Sequence, residues 1–298
     1  EGFTNLVIDL RDNVGGYLDS AVQMANEFLP KNKLIVYTEG RKSPRKEYRT
    51  NGQGSYQDIP LVVLINEGSA SASEIFAGAM QDNDRGTIIG RRSFGKGLVQ
   101  QQIAFPDGSM IRLTIARYYT PSGRCIQKPY TIGDSEDYAQ DIVARYQHGE
   151  FFNQDSIKHV GPAYHTTLGR AVYGGGGITP DIFVPEDTLG MTSYYKQAAM
   201  SGLILQFAFN YTDNNRQKMQ QFKELLELES YLKKQNMVEQ FATYANSHGL
   251  QRRNLLIRKS HTLLERYIDS RVIYNMLDEQ AWNQYLNADD NVIKKALE

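Results

Sequence analysis

Three serines, Ser69, Ser71 and Ser73, alternate with alanines in the run GSASASEIFAG, just after the apolar segment LVVLIN (61–66). A continuous apolar run of that length is expected of a strand buried on both faces. The following SASASEIFAGAMQDND is expected to be a helix. A serine at such a strand-to-helix step is well placed for nucleophilic attack. The first-turn N–H groups have no intrahelical partners, and the macrodipole is positive there. An oxyanion forming beside Ser71 can be held by the backbone N–H of Ala72, and a second donor can come from the turn at Gly15 and Gly16, where missing side chains allow close approach. Spacing alone does not separate the three serines.

A serine hydroxyl is weakly nucleophilic at neutral pH and needs a base. No histidine lies in a glycine-rich turn nearby, but Lys96 does, in Ser93-Phe94-Gly95-Lys96-Gly97. A lysine serves as a base when burial leaves its amine uncharged near neutral pH. Gln100, four residues on, can orient that amine by hydrogen bonding. On a straight strand their Cα atoms would stand roughly 13 Å apart. Contact requires a bend, which Gly95 and Gly97 can supply.

Each feature has a plainer reading. Ser71-Ala72-Ser73-Glu74 is also a capping box, in which Ser71 merely caps the helix. Lys96 also reads as an ordinary solvated lysine. Gly90 to Lys96 nearly spells a phosphate-binding loop, but Gly97 stands where Ser or Thr would hold magnesium, and the strand-like LVQQQI follows instead of a helix. Asp9, Arg11, Asp12 and Asn13 are expected to be turn chemistry rather than catalytic groups.

The elements that must position these residues follow from periodicity. LVIDL (6–10) is strand-like, RDNVGG a turn, and Leu18, Ala21, Val22, Ala25 and Phe28 recur at helical spacing. Residues 33–39 and 45–50 suggest a charged hairpin, TIIG (87–90) a short strand, and 98–105 with 110–118 a hairpin around Pro-Asp-Gly-Ser. Residues 134–173 mix helix and loop, and Gly174 to Gly177 punctuate the chain before ITPDIFV. Beyond about residue 188 Gly and Pro nearly vanish, which predicts an all-helical region. The expected domains are 1–187, an α/β core, and 188–298, helical, with a soft boundary near 186–190.

The 298 residues are 41% apolar and 22% charged, a soluble globular composition long enough for one large or two ordinary domains. A net charge of −1 offers no bulk attraction to nucleic acid. One cysteine, Cys125, excludes an internal disulfide and a cysteine metal cluster. His148, His159, His165, His248 and His261 lack ligand spacing, so no metal or cofactor is expected. No apolar run approaches the roughly 20 residues of a membrane span. No leader is read at the N-terminus, and so abrupt an entry into LVIDL suggests a start in mid-protein.

SASASEIFAGAMQD, the 25-residue step from Ser71 to Lys96, FGKG and Gln100 together resemble the carboxyl-terminal processing peptidases, the tail-specific protease family of serine peptidases, S41. DLRDNVGG (9–16), ARYYTPSGRCIQ (116–127) and GGGGITPDIFVP (174–185) extend the likeness over about residues 1–187. The resemblance implies a serine-type endopeptidase with Ser71 as nucleophile, Lys96 as general base and Gln100 as its orienting partner. Ala72 with Gly15 or Gly16 would form the oxyanion hole. The implied fold is the spiral α/β core shared with the Clp peptidase and crotonase group. Implied substrates are protein tails or loosely folded polypeptides, and the implied location is periplasmic or otherwise extracytoplasmic, with a lipoprotein anchor as one form. The PDZ module and preceding strand usual in the family are not present in this sequence. A homodimer through the helical region is one arrangement the tail allows. Two other functions fit the same residues: a non-catalytic polypeptide-binding scaffold, and an acyl-CoA enzyme of crotonase type.

Overall fold

The apolar run at 61–65 becomes the strand around which the N-terminal part is built. The computed structural model describes residues 2–131, 133, 135–159 and 161–298, and it divides into two compact units, 1–186 and 187–297. In the first unit the order is β1 (Leu6–Asp9), α1 (Leu18–Asn26), β2 (Leu34–Gly40), β3 (Ser43–Arg49), β4 (Leu61–Ile65), α2 (Ala72–Asp82) and β5 (Thr87–Gly90). Then come β6 (Leu98–Ala104), β7 (Met110–Tyr119), α3 (Ser135–Gln147), β8 (Ala163–His165), β9 (Ala171–Tyr173) and β10 (Ile182–Phe183). The stretch 134–173, expected to mix helix and loop, thus also holds the antiparallel pair β8–β9; residues 134 and 160 of it lie outside the described residues.

Strands β1, β4, β5 and β10 form a parallel sheet in that order, with Ile8 opposite Val63 and Val63 opposite Ile88. Strand β4 is central, and Leu61, Val63, Leu64 and Ile65 are all buried, as a strand covered on both faces requires. Strands β3, β2, β7 and β6 form a second, antiparallel sheet. Helix α2 is buried from Ser73 to Asp82, and its Ile75, Phe76 and Met80 join Ala25 and Phe28, Ile35 of β2 and Val63 in one core. Its last turn is pinned by a fully buried ion pair, Arg124 to Asp82 at 2.7 Å.

The second unit consists, among the described residues, of helices α4 (Ser193–Met200), α5 (Leu203–Met219), α6 (Leu225–Leu232), α7 (Met237–Ser247), α8 (Asn254–Lys259), α9 (His261–Met276), α10 (Glu279–Asn287) and α11 (Asn291–Leu297). Helices α5 to α8 and α10 all pack on α9. Leu264, Ile268, Val272 and Ile273 of α9 are fully buried against Phe207, Leu228 and Phe241.

Asp269 of α9 is buried in that apolar setting, and its Oδ1 has no hydrogen-bond donor among the described residues. Burial first, and then Glu265 and Glu229, push its carboxyl up to about 7, with Lys233 opposing. An unfolded aspartate titrates near 3.9. Between about pH 4 and 7 the folded unit therefore holds a proton that the unfolded chain has lost, and its stability falls as pH rises through that window. The expected loss is on the order of 3 kcal/mol. Trp282, the chain's one tryptophan, lies in α10 of this unit. Urea unfolding followed by its fluorescence at pH 4.5 and pH 8 should show that loss. Asp269→Asn should flatten the dependence; an unchanged dependence would refute the assignment.

Candidate active site

The three segments carrying the sequence's candidate residues leave the carboxyl ends of three adjacent parallel strands: residues 10–17 follow β1, 66–71 follow β4, and 91–97 follow β5. In open α/β sheets this is the edge where ligands bind. The first two segments are tied together by the polar cluster at 12–13. The N–H of Asp12 donates to Asn66 Oδ1 at 2.8 Å, and Asn66 Nδ2 donates to Asp12 Oδ1 at 3.0 Å. The carbonyl of Asn13 accepts from Ala70 N–H and from Ser73 Oγ, each at 3.0 Å. Asp12 and Asn13 are thus occupied in holding the turn, and Arg11 pairs with exposed Asp9 at 2.6 Å.

The three serines are distinguished by what their hydroxyls do. Ser69 is fully buried and donates to the carbonyl of Leu10 at 2.7 Å, and Ser73 donates to Asn13. Ser71 donates to no backbone carbonyl among the described residues. Burial pushes the Tyr118 phenol above its ordinary value, against the opposing influence of the nearby Ser71 side chain. Ser71 also has φ 57° and ψ −113°, a backbone state that a residue with a side chain seldom adopts. Such strain costs about 1–3 kcal/mol and survives only where the surroundings impose it. Here it presents the side chain at the head of α2.

The surroundings include Gly15, at φ +86°, where a Cβ would lie 2.4 Å from Ala70 O and 2.6 Å from Ala72 N. No residue but glycine fits. The N–H of Gly15 is turned to Asn13 Oδ1 at 2.9 Å. Among the described residues, the N–H groups of Ala72 and Gly16 have no acceptor, and Gly16 is exposed. Of the two glycines, Gly16 is therefore the one whose donor is available beside Ala72. Next to this pair lies a mostly apolar cavity of about 220 Å³, walled by Leu10, Tyr17, Ala21, Met24, Ala72 and Phe76.

Glu74 joins the helix headed by Ser71 to the loop of Lys96. It is fully buried. Its Oε2 accepts from the N–H of Ser71 and the N–H of Lys96, both at 2.8 Å. Its Oε1 accepts from Ser93 Oγ at 2.5 Å and Gly95 N–H at 2.7 Å. Burial pushes this carboxyl up, while all four donors favour the carboxylate. The capping box of the sequence is therefore more than a cap. One carboxylate oxygen holds the backbones of Ser71 and Lys96 side by side.

Lys96 is half-buried. Gln100 is exposed on β6 opposite Thr114, where the β6–β7 register shifts. Neither side chain has a hydrogen-bond partner among the described residues: the backbones of Ser71 and Lys96 meet at Glu74, Gly16 and Ala72 share a cavity wall, and Gln100 is unconnected to the amine. Sequence reasoning missed Glu74 as a junction, and it missed Ser93 and Tyr118. Glu74 had a local signal, its place three residues after Ser71; the other two had none, because their partners are far along the chain. Among the described residues, no group of three or more His, Cys, Asp or Glu side chains is arranged to hold a metal ion.

Residues 1–137 match peptidase family S41, and residues 194–278 match a family of unknown function (DUF8443). The chain is 44% identical over 128 residues to a carboxyl-terminal-processing protease of Synechocystis sp., covering 43% of this chain and 30% of that protein. It is 41% identical over 141 residues to the chloroplastic C-terminal processing peptidase of Tetradesmus obliquus, covering 47% and 30%. The matched stretch is thus less than a third of either relative's length. Among solved structures, the photosystem II D1 C-terminal processing protease is 30% identical, with a TM-score of 0.43, over 62% of this chain and 36% of that one.

Proposed function

Because residues 1–137 belong to peptidase family S41, we propose that this chain hydrolyses peptide bonds through an acyl-enzyme on Ser71, with Lys96 as general base. The observation that supports the reading is the convergence on Glu74 Oε2 of the backbone N–H groups of a strained, buried serine and a half-buried lysine. Lys96 Nζ takes the hydroxyl proton as Ser71 Oγ attacks the peptide carbonyl carbon. The N–H groups of Ala72 and Gly16 receive the oxyanion. The lysine then gives its proton to the departing amine; water, deprotonated in turn by Lys96 Nζ, attacks the acyl carbon, and the lysine returns that proton to Ser71 Oγ as the acyl group leaves. The cavity beside Gly16 suits an apolar side chain next to the cut. Geometry lends Gln100 no support as partner of the amine.

Protein tails or loosely folded polypeptides outside the cytoplasm fit this reading as substrates. The parallel β1-β4-β5-β10 order, with its site at the strands' carboxyl ends, suits a spiral core of the Clp peptidase and crotonase kind. Among the described residues, no helix is long and apolar enough to cross a membrane. The test is labelling of the full chain by a fluorophosphonate probe between pH 6 and 10. Labelling is expected, and Ser71→Ala should abolish it. Silence at every pH would favour a polypeptide-binding scaffold instead.

A further inference from the structure

The segment bearing Lys96 is held on its amide side by three neighbouring loops and by Glu74. Ser93 N–H donates to Ile178 O at 3.0 Å, Phe94 N–H to Ser69 O at 2.9 Å, and Gly97 N–H to Gln127 Oε1 at 2.8 Å. Two of its carbonyls, those of Arg92 and Ser93, are held by a residue that lies beyond the family match. Arg145, on the last turn of α3, donates from Nη1 to Ser93 O at 3.0 Å and from Nη2 to Arg92 O at 2.7 Å. Its Nε donates to Glu150 Oε1 at 2.9 Å. Glu150 also accepts two bonds from Arg92, at 2.7 and 2.6 Å, and Arg92 reaches Gly176 O at 2.8 Å. Both Arg145 and Glu150 are only 5% exposed.

A second tie lies one residue nearer the lysine. The N–H of Lys128 donates to Gly95 O at 2.9 Å, and its buried Nζ donates to Tyr138 O at 2.9 Å and Asp141 Oδ2 at 3.2 Å. That ammonium sits 4.1 Å from the ring centres of both Phe94 and Tyr138. Helix α3 therefore grips the loop directly at Arg92–Ser93 and, through Lys128, at Phe94–Gly95, immediately before Lys96. An arginine fork making two bonds to consecutive carbonyls fixes direction as well as distance, which a single-point donor does not.

We infer that Arg145 and Glu150 are positioning residues for Lys96, supplied by a part of the chain outside the S41 match. Burial pushes the Glu150 carboxyl up, but the bonds from Arg92 and the charge of Arg145 outweigh it and hold the carboxyl below the ordinary glutamate range. Glu150 is thus a carboxylate, and it holds both arginines in the orientation their carbonyl contacts need. A general base displaced by about 1 Å loses rate by about a hundredfold.

The inference rests on the reading of Lys96 as base, and the experiment separates the two. The rate of fluorophosphonate labelling of the full chain is measured from pH 6 to 10 for wild type, Arg145→Met, Arg145→Lys, Glu150→Gln and Lys96→Ala, with the melting temperature of each. Arg145→Met and Glu150→Gln are expected to label about 10- to 100-fold more slowly. The pH of half-maximal rate should also move. Arg145→Lys should fall between, because it keeps the charge without the fork. If Arg145→Met does not fold, the conservative Glu150→Gln decides. A folded variant with wild-type rate and pH midpoint overturns the inference, as does a smaller labelled fraction with an unmoved midpoint, which reports structure alone. If Lys96→Ala labels like wild type, the reading of Lys96 fails instead.

Discussion

Lys96→Ala is expected to slow fluorophosphonate acylation of Ser71 by about 10³-fold or more while leaving the fold intact. The side chain makes no hydrogen bond to a described residue, so its loss removes no structural tie. The backbone N–H of position 96 still reaches Glu74 after the substitution. The site's other parts persist: Ser71 keeps its strained backbone, and the donors of Ala72 and Gly16 remain. Under the proposed chemistry, what disappears is the acceptor for the hydroxyl proton. A melting temperature within a few degrees of wild type, with labelling rates near background, is the expected pair of results. A variant that labels at the wild-type rate would remove Lys96 from the chemistry and leave Ser71 needing another base.

Glu74→Ala carries the largest expected loss of stability. Four buried donors, the N–H groups of Ser71, Gly95 and Lys96 and the hydroxyl of Ser93, share this one carboxylate. Alanine strands all four and leaves a cavity at the head of α2. Removing one member of such a buried network costs about 3–5 kcal/mol. For a unit of this size that lowers its melting temperature by roughly 10 °C. Glu74→Gln keeps the volume but replaces one acceptor oxygen with an NH₂ group. On one side that group faces two N–H donors. On the other it faces Gly95 N–H and Ser93, whose hydroxyl alone can turn to accept. The milder substitution should therefore cost about half as much, judged on one unsatisfied buried donor. Calorimetry of the full chain should show the first unit's transition moving, while the transition reported by Trp282 in the second unit stays in place. If both move together, or neither does, Glu74 is not the local junction described.

The sequence carries a good deal of this architecture in its periodicities. LVIDL and LVVLI contain strands β1 and β4, the first half-buried at the sheet's edge and the second covered on both faces as so apolar a run requires, and the Pro-Asp-Gly-Ser turn marks the β6–β7 hairpin. The scarcity of Gly and Pro after residue 188 corresponds to eight helices. Other features depend on tertiary partners and leave no local trace. The strands β8 and β9 are three residues each and carry too little pattern to stand out. The positive φ of Ser71 is imposed by Gly15 packing on its backbone, from a different strand's loop. Arg145 and Glu150 look like ordinary charges on a helical, partly polar stretch, and only folding shows that Arg92 and the carbonyls of 92–93 need them. Gln100 illustrates the reverse. Its spacing from Lys96 suggests a partnership, yet pairing within β6 leaves its side chain in solvent.

The carboxylate shared between the head of α2 and the turn after β5 also has a temporal meaning. A growing chain that has reached residue 90 already has its serine, its helix and its acidic side chain, which at that stage can grip only the N–H of Ser71. The other three donors, at residues 93, 95 and 96, come next, and the arginine that steadies the turn is made some fifty residues later still. Under the proposed chemistry, the capacity to cut would belong to the finished unit and not to its earlier, shorter forms.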